Sequence, residues 1–296
     1  MEVETPVTVA SNKVLGAIIR IGVEQVSAVQ TGAGARGAGD GGCPSPDSAY
    51  SNAFFFEESK SSMAAAEVIV PMLLSVVRPR SVVDVGCGAG AFLREFQRVG
   101  VHDLLGIEGP WIQSNALLID SGVILSRDLR EIVSLDRTFD LAVCFEVAEH
   151  LPRTSADTLV DSLTRLAPVI AFSAAIPLQG GTSHLNEQWP DYWAKKFVAH
   201  GFVPIDCLRH PLLANSDVPE HYVQTSMLFV LASYAARDQR FSKFTPTDPS
   251  RVGVLICVRR RPLTSKLLNR LPPALRQRVY YLGRRFTTRS LGVPPA

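Results

Sequence analysis

The chain has 296 residues, 46% of them apolar and 20% charged, with a net charge of +2. That length allows one large domain or a catalytic domain with appendages, and the balance is that of an ordinary globular protein. No uncharged apolar run reaches the roughly 18–20 residues a helical membrane span needs. The five cysteines are dispersed with no CxxC pair, which argues against a disulfide framework or a structural zinc site and suits a reducing cytoplasm.

In chain order, the apolar stretch "KVLGAIIRIGV" is preceded by Glu2 and Glu4 and interrupted by Arg20. It lacks the basic start and clean apolar centre of a secretory signal. Residues 12–30 suit a helix, and "TGAGARGAGDGGCPSPDS" (31–48) reads as a flexible linker, so residues 1–49 form an N-terminal extension. Residues 61–77 read as a helix in which Pro71 imposes a kink or a break. Strand and helix signals then alternate over residues 50–235. "SVVDV", "DLLGIE", "VILS", "FDLAVCFE" and "VIAFSAAI" are strands, with "FVPIDCL" and "SMLFVLAS" closing the series. Helices are expected at "AFLREFQRV", at about 155–167 and at about 189–200. The pattern predicts an α/β fold: a Rossmann-like, doubly wound, seven-stranded and mostly parallel sheet with helices on both faces.

Residues 236–296 form a C-terminal extension. No acid follows Asp248, while Arg and Lys recur from Arg251 to Arg289. Two short helices broken at Pro272-Pro273 would each carry an apolar and a basic side. Such a tail suits peripheral contact with an anionic membrane, or docking on the acidic body or a second subunit. No nucleic-acid module accompanies it, so no specific nucleic-acid partner is expected.

Ligands of doubly wound sheets bind beyond the carboxyl ends of the strands, which places the chemistry at the residues ending each strand. Gly86, Gly88 and Ala91 fit the GxGxxG/A pattern of dinucleotide binders, and Glu108 stands where an acid holds ribose hydroxyls. The glycines alone leave the cofactor open between a dinucleotide and a cationic ligand. Asp84 separates the two. Inside the strand and before the loop, its carboxylate would repel a pyrophosphate and favour a ligand carrying an ammonium and a sulfonium; the plain alternative is that it caps the turn. Glu146, ending the fourth strand, adds negative charge at the same edge.

"VVDVGCGAG" resembles the first motif of the class I S-adenosylmethionine-dependent methyltransferases, and "LLGIEG" resembles their second. "SRDLRE" fits their adenine-contacting position, and "FDLAVCFEVAEHL" resembles their fourth-strand motif in the small-molecule branch. The likeness covers residues 60–235. It implies S-adenosylmethionine as cofactor, with Asp84, Gly86 and Gly88 at the methionine and ribose portions and Gly90 allowing close helix packing. Glu108 would accept both ribose hydroxyls. Asp128 would accept the adenine amino group, with the Leu129 backbone N–H nearby.

On the acceptor side a hydroxyl must lose a proton. His150 follows Glu146 and Glu149 on leaving the fourth strand. His184 lies in "QGGTSHLNEQWPDYW", where two glycines suggest a loop mobile enough to close. The same loop offers Asn186 and Trp189 as acceptor contacts, while Trp193 reads as a core anchor. The spacing of His and acidic residues suggests no metal site. The chain therefore reads as a cytoplasmic enzyme, with possible peripheral membrane contact through its tail. It would transfer methyl from S-adenosylmethionine to a small-molecule or glycan acceptor, with oxygen the expected atom. Transfer to nitrogen or to a lipid-linked surface-glycan precursor is the alternative. A non-catalytic module that keeps the cofactor fold is the rival from another class.

Overall fold

A computed structural model describes residues 52–253, apart from 112–115, 178 and 180. The expected N-terminal helix and linker, and the basic tail beyond 253, lie outside the described residues. The chain enters through α1 (Asn52–Val76) and runs β1 (Ser81–Val85), α2 (Ala91–Arg98), β2 (Asp103–Glu108) and β3 (Ile124–Ser126). It continues through β4 (Leu141–Phe145), α3 (Ala156–Leu166), β5 (Val169–Ser173), α4 (Pro190–Ala199) and β6 (Phe202–Ile205). The short helices α5 (Arg209–Leu212) and α6 (Glu220–Thr225) lead to β7 (Met227–Leu231).

One seven-stranded sheet results, in the order β3-β2-β1-β4-β5-β7-β6. β1 pairs in parallel with both β2 and β4, while β7 runs antiparallel to β5 and β6. The order reverses between β1 and β4, so a crevice for a ligand opens beyond the ends of those two strands.

Alternation along each strand divides the core into two layers. Val82, Leu141 and Val143 face one side with Phe92 and Phe96 of α2 and Ile69 and Leu73 of α1. Val83, Val85, Ala142 and Cys144 face the other with Leu159 and Leu163 of α3 and Trp193 and Phe197 of α4. Asp84 falls on the α1/α2 side, in step with Val82.

α1 runs through Pro71 without a break, so of the kink or break expected there the break does not occur. Pro71 is exposed while its neighbours Val70 and Leu73 are buried. The carbonyl it leaves unbonded can therefore turn to water. The Ser59–Val76 part of α1 is apolar enough in length and composition for a membrane span, yet Ala65, Ala66, Ile69 and Leu73 on it are 0–1% exposed in the sheet core. β5 ends at Ser173 rather than at Ile176. Residues 236–253, placed above in the extension, pack on the sheet: Phe241 and Val252 are buried in its two layers, and the Thr247 N–H donates to the Pro204 carbonyl at 2.8 Å.

Phe197 stacks on Phe229 at 4.1 Å and meets Phe172 edge-on at 5.3 Å. Phe197→Ala should lower stability by about 3–5 kcal/mol, measured as a fall in the denaturant midpoint at unchanged slope.

Candidate active site

β1 delivers Asp84 to the crevice. Asp84 pairs along the backbone with Gly106 on one side and Val143 on the other, and only 3% of it is exposed. Its carboxyl has no hydrogen-bond partner among the described residues. Burial, helped by the charge of Glu108, pushes that carboxyl up to about 8, because a lone anion in low dielectric is costly.

The turn after β1 is tied to β2. The Gly86 N–H donates to the Ile107 carbonyl at 2.8 Å, and the Gly88 N–H donates to Glu108 Oε2 at 2.8 Å. Gly86 and Gly88 have φ of +76° and +51°, a region costly for other residues. Their surroundings differ. A Cβ on Gly86 would lie 2.4 Å from Val147, whereas one on Gly88 would meet nothing within 4 Å. Gly88 therefore borders the open crevice, and Gly86 serves packing. Gly90 precedes α2, and a Cβ there would lie 2.8 Å from Ile119, so its close contact is with that side chain rather than with a helix.

Glu108, 7% exposed, also accepts from the Gly109 N–H at 2.7 Å. Burial raises its carboxyl even so, against the opposing pull of the Gly109 and Gly88 amides and the Trp111 side chain. Asp128 grips the Arg130 guanidinium with both oxygens, at 2.9 and 2.5 Å, and accepts the Arg130 N–H at 2.9 Å. That pairing holds its carboxyl below the usual range. An adenine amino group at Asp128 must therefore share an oxygen with Arg130. The Leu129 side chain is buried in the α3/α4 layer.

The second half of the site is built around the exit from β4. Glu146 takes a positive φ of 54°, a strained choice for a residue with a side chain. Its environment holds it there. Ser173 Oγ donates to Glu146 Oε1 at 2.7 Å and Gln179 Nε2 donates to Oε2 at 2.7 Å; the Thr225 hydroxyl lies 3.4 Å from Oε1 while donating to the His221 carbonyl at 2.7 Å. Ser173, Gln179 and Thr225 were not singled out from sequence, since only the fold brings them to Glu146.

One short turn further on stands Glu149, 1% exposed, with both carboxyl oxygens buried and making no hydrogen bond of good geometry among the described residues, with its own amide, that of Ala175 and the Glu146 carboxyl nearby. Burial and the nearby Glu146 push its carboxyl well above the usual carboxylate range. Its backbone carbonyl accepts from the Leu185 and Asn186 amides at 2.7 and 3.0 Å, and the Gln188 N–H donates to the Ala175 carbonyl at 3.1 Å. The loop expected to be mobile is thus fastened by three backbone bonds on its far side.

That docking brings His184 to His150, with ring centroids 5.0 Å apart and planes at 86°. Burial, and then His184, lower His150 to about 4. His184 Nδ1 lies 3.1 Å from Glu187 Oε1. A Cβ on Gly181 would lie 2.2 Å from His184 Nε2, so this ring position requires glycine there. Glu149, His150 and His184 each present a possible ligand atom, and these atoms all lie within 4.8 Å of one another. The two histidines are far apart in the chain, and spacing cannot register a contact made by folding.

Asn186 is 2% exposed; its Oδ1 accepts from Gln188 Nε2 at 2.9 Å, while its amide nitrogen is buried without a partner. Trp189 immediately precedes α4 and is 5% exposed. Trp193 packs against Phe172 at 5.3 Å in the core.

Residues 57–205, half of the chain, match a family described as a methyltransferase domain. No curated protein matches the chain in sequence. Among solved structures it is similar to DesVI of Streptomyces venezuelae, at 24% identity over 44% of this chain and 58% of that one, with a TM-score of 0.35. It is also similar to an O-methyltransferase family protein from Burkholderia thailandensis, at 14% identity, 60% and 58% coverage and a TM-score of 0.43. A SAM-dependent methyltransferase from Archaeoglobus fulgidus matches at 18% identity, 51% and 74% coverage and a TM-score of 0.41. The match to DesVI spans less than two thirds of that protein's length. With its reversed-order sheet and its strand-end acids around a glycine turn, the chain belongs to the S-adenosylmethionine-dependent methyltransferase domain family.

Proposed function

We propose that this methyltransferase moves a methyl group from S-adenosylmethionine to a hydroxyl oxygen of a small-molecule or glycan acceptor. The observation that carries the reading is the His184–Glu187 pair, set edge-on to His150 beside the strand-end acids. A histidine oriented by a carboxylate is the usual arrangement for taking a proton from a hydroxyl. An amine acceptor would need no such base at neutral pH once it has lost its proton to solvent.

The residues on the crevice fit the cofactor. The open side of Gly88 leaves room for a ligand against the backbone. Glu108, although it already accepts two amides, retains lone pairs for a pair of ribose hydroxyls. Asp128 and the Leu129 backbone stand for adenine. Asp84, with Gly86 and Gly90 shaping the turn, faces the methionine end, and Glu146 adds charge there. When bound, the cofactor supplies an electrophilic methyl group on a positively charged sulfur. Asp84, buried at 3% exposure, gains from a neighbouring cation more than a solvated acid would. His184 takes the acceptor proton, Glu187 stabilises the imidazolium so formed, and the buried Asn186 amide and Trp189 contribute to acceptor binding. The free cysteines Cys87 and Cys144, both buried in the core, suit a cytoplasmic location.

Two measurements test these roles. In the folded chain Asp84 holds its proton to about pH 8, and in the unfolded chain it loses it near its ordinary 3.8. The folded state thus binds the extra proton across that window, and stability of the free enzyme falls as pH rises through it. Asp84→Asn should flatten this fall and raise the melting temperature at pH 8, while weakening S-adenosylmethionine at least about 10-fold by calorimetry. Unchanged affinity would remove Asp84 from the cofactor site. His184→Ala should leave cofactor affinity unaltered and reduce turnover by about 10²–10⁴-fold, scored as acceptor molecules in extract that gain one methyl mass; full turnover, or a product methylated at nitrogen, would sink the oxygen-base reading.

A further inference from the structure

The cluster of Glu149, His150 and His184 has a property that proton transfer does not explain. Proton transfer needs one oriented histidine, and His184 with Glu187 already supplies it. Yet the fold also buries a third group, Glu149, whose two carboxyl oxygens make no hydrogen bond of good geometry among the described residues, although its own amide, that of Ala175 and the Glu146 carboxyl stand nearby. An acid so placed is a cost, and native proteins ordinarily offset it with a donor or a cation. The ligand atoms of the three residues lie within 4.8 Å of one another; ligands about 2.0–2.2 Å from one ion stand at most about 4.4 Å apart, so the side chains would draw inward slightly to share it.

We propose that Glu149, His150 and His184 bind a divalent transition-metal ion, which holds and polarises the acceptor oxygen. The proposal rests on the oxygen-acceptor reading above and changes the role of His184 within it, from base to ligand.

The donor set fits the assignment. Two imidazoles and one carboxylate suit zinc, cobalt, manganese or iron, whereas magnesium and calcium prefer all-oxygen shells. Three protein ligands leave coordination positions open to an outside oxygen. His184 has the support a ligating histidine usually has. Its Nδ1 is 3.1 Å from Glu187, which fixes the ring and leaves Nε2 for the ion. The same contact in the ion-free chain serves the base role described above, so one pair of residues is compatible with both states.

Three features hold the ligands in place. The amides of Leu185 and Asn186 bond to the Glu149 carbonyl at 2.7 and 3.0 Å, which carries His184 to the turn bearing the other two ligands. Gly181 leaves room for the His184 ring, since a Cβ would lie 2.2 Å from Nε2. Glu146, fixed by Ser173 and Gln179, adds negative charge beside the ion without giving up those bonds. A hydroxyl bound to such an ion loses its proton more readily. The proton passes to solvent, the oxygen forms the new bond to the methyl carbon, and the carbon–sulfur bond breaks with its electron pair retained by sulfur.

The test uses the full chain, stripped with a chelator and titrated with Co²⁺ alone, followed by visible absorption and by calorimetry. One Co²⁺ per chain is expected, competed by Zn²⁺. Glu149→Gln, His150→Ala and His184→Ala should each weaken it more than 10-fold. Glu187→Gln, which removes the carboxylate beside His184 Nδ1, should weaken it about 10–100-fold in a chain whose circular dichroism and S-adenosylmethionine affinity are intact. Absence of stoichiometric Co²⁺, or affinity unchanged across His150→Ala, His184→Ala and Glu187→Gln, would overturn the site. Metal uptake is read without any acceptor, so failure of the oxygen reading, seen as an N-methylated product, is distinguishable from failure of the metal site.

Discussion

Everything at this site follows from carboxyl groups being gathered where a parallel sheet changes its winding direction. β1, β2 and β4 end at one edge, and each brings an acid there: Asp84 within β1, Glu108 at the end of β2 and Glu146 just after β4. Burial at such an edge, helped by a neighbouring like charge, raises a carboxyl's proton affinity, as Asp84 shows beside Glu108. Such an edge repels a diphosphate and attracts a cation. The glycine turn is secondary to that charge. Its Gly88 amide satisfies Glu108, and its open side provides the space, but neither selects the ligand.

Glu146 links this edge to the acceptor half. A strained backbone is retained only where its surroundings over-determine it, and donors from β5 and the following loop do so at Glu146. The charge of Glu146 raises the proton affinity of both Glu149 and His150, so this one residue borders both halves of the site.

The strands and the cofactor class were legible because both are local signals. Alternating apolar runs encode strands, and Asp84 stands next to the glycines it modifies. Asp84, Glu108 and Glu146 occupy strand ends, so one rule about such sheets locates all three. What sequence could not show depends on contacts between distant segments. Glu149 reads as one more acid in "EVAEHL" until the fold buries it, and the closeness of His150 to His184 exists only after the 185–188 backbone docks on Glu149 and Ala175. The "QGG" loop carries a second meaning that sequence does not show: Gly181 makes space for the His184 ring. Pro71 shows the converse, since its cost depends on exposure, which a propensity scale does not register.

The solitary burial of Asp84 bears on how a catalytic cycle ends. Methyl transfer turns a sulfonium into a neutral thioether, so the spent cofactor carries one positive charge fewer than the incoming one. A carboxylate kept ionised by that charge loses its partner when the reaction occurs, and in a site this dry it recovers stability by taking a proton back. On the role proposed for it, Asp84 would make the crevice tighter for the charged donor than for its by-product. The enzyme would then clear its own inhibitor through electrostatics alone, with no part of the sheet having to move.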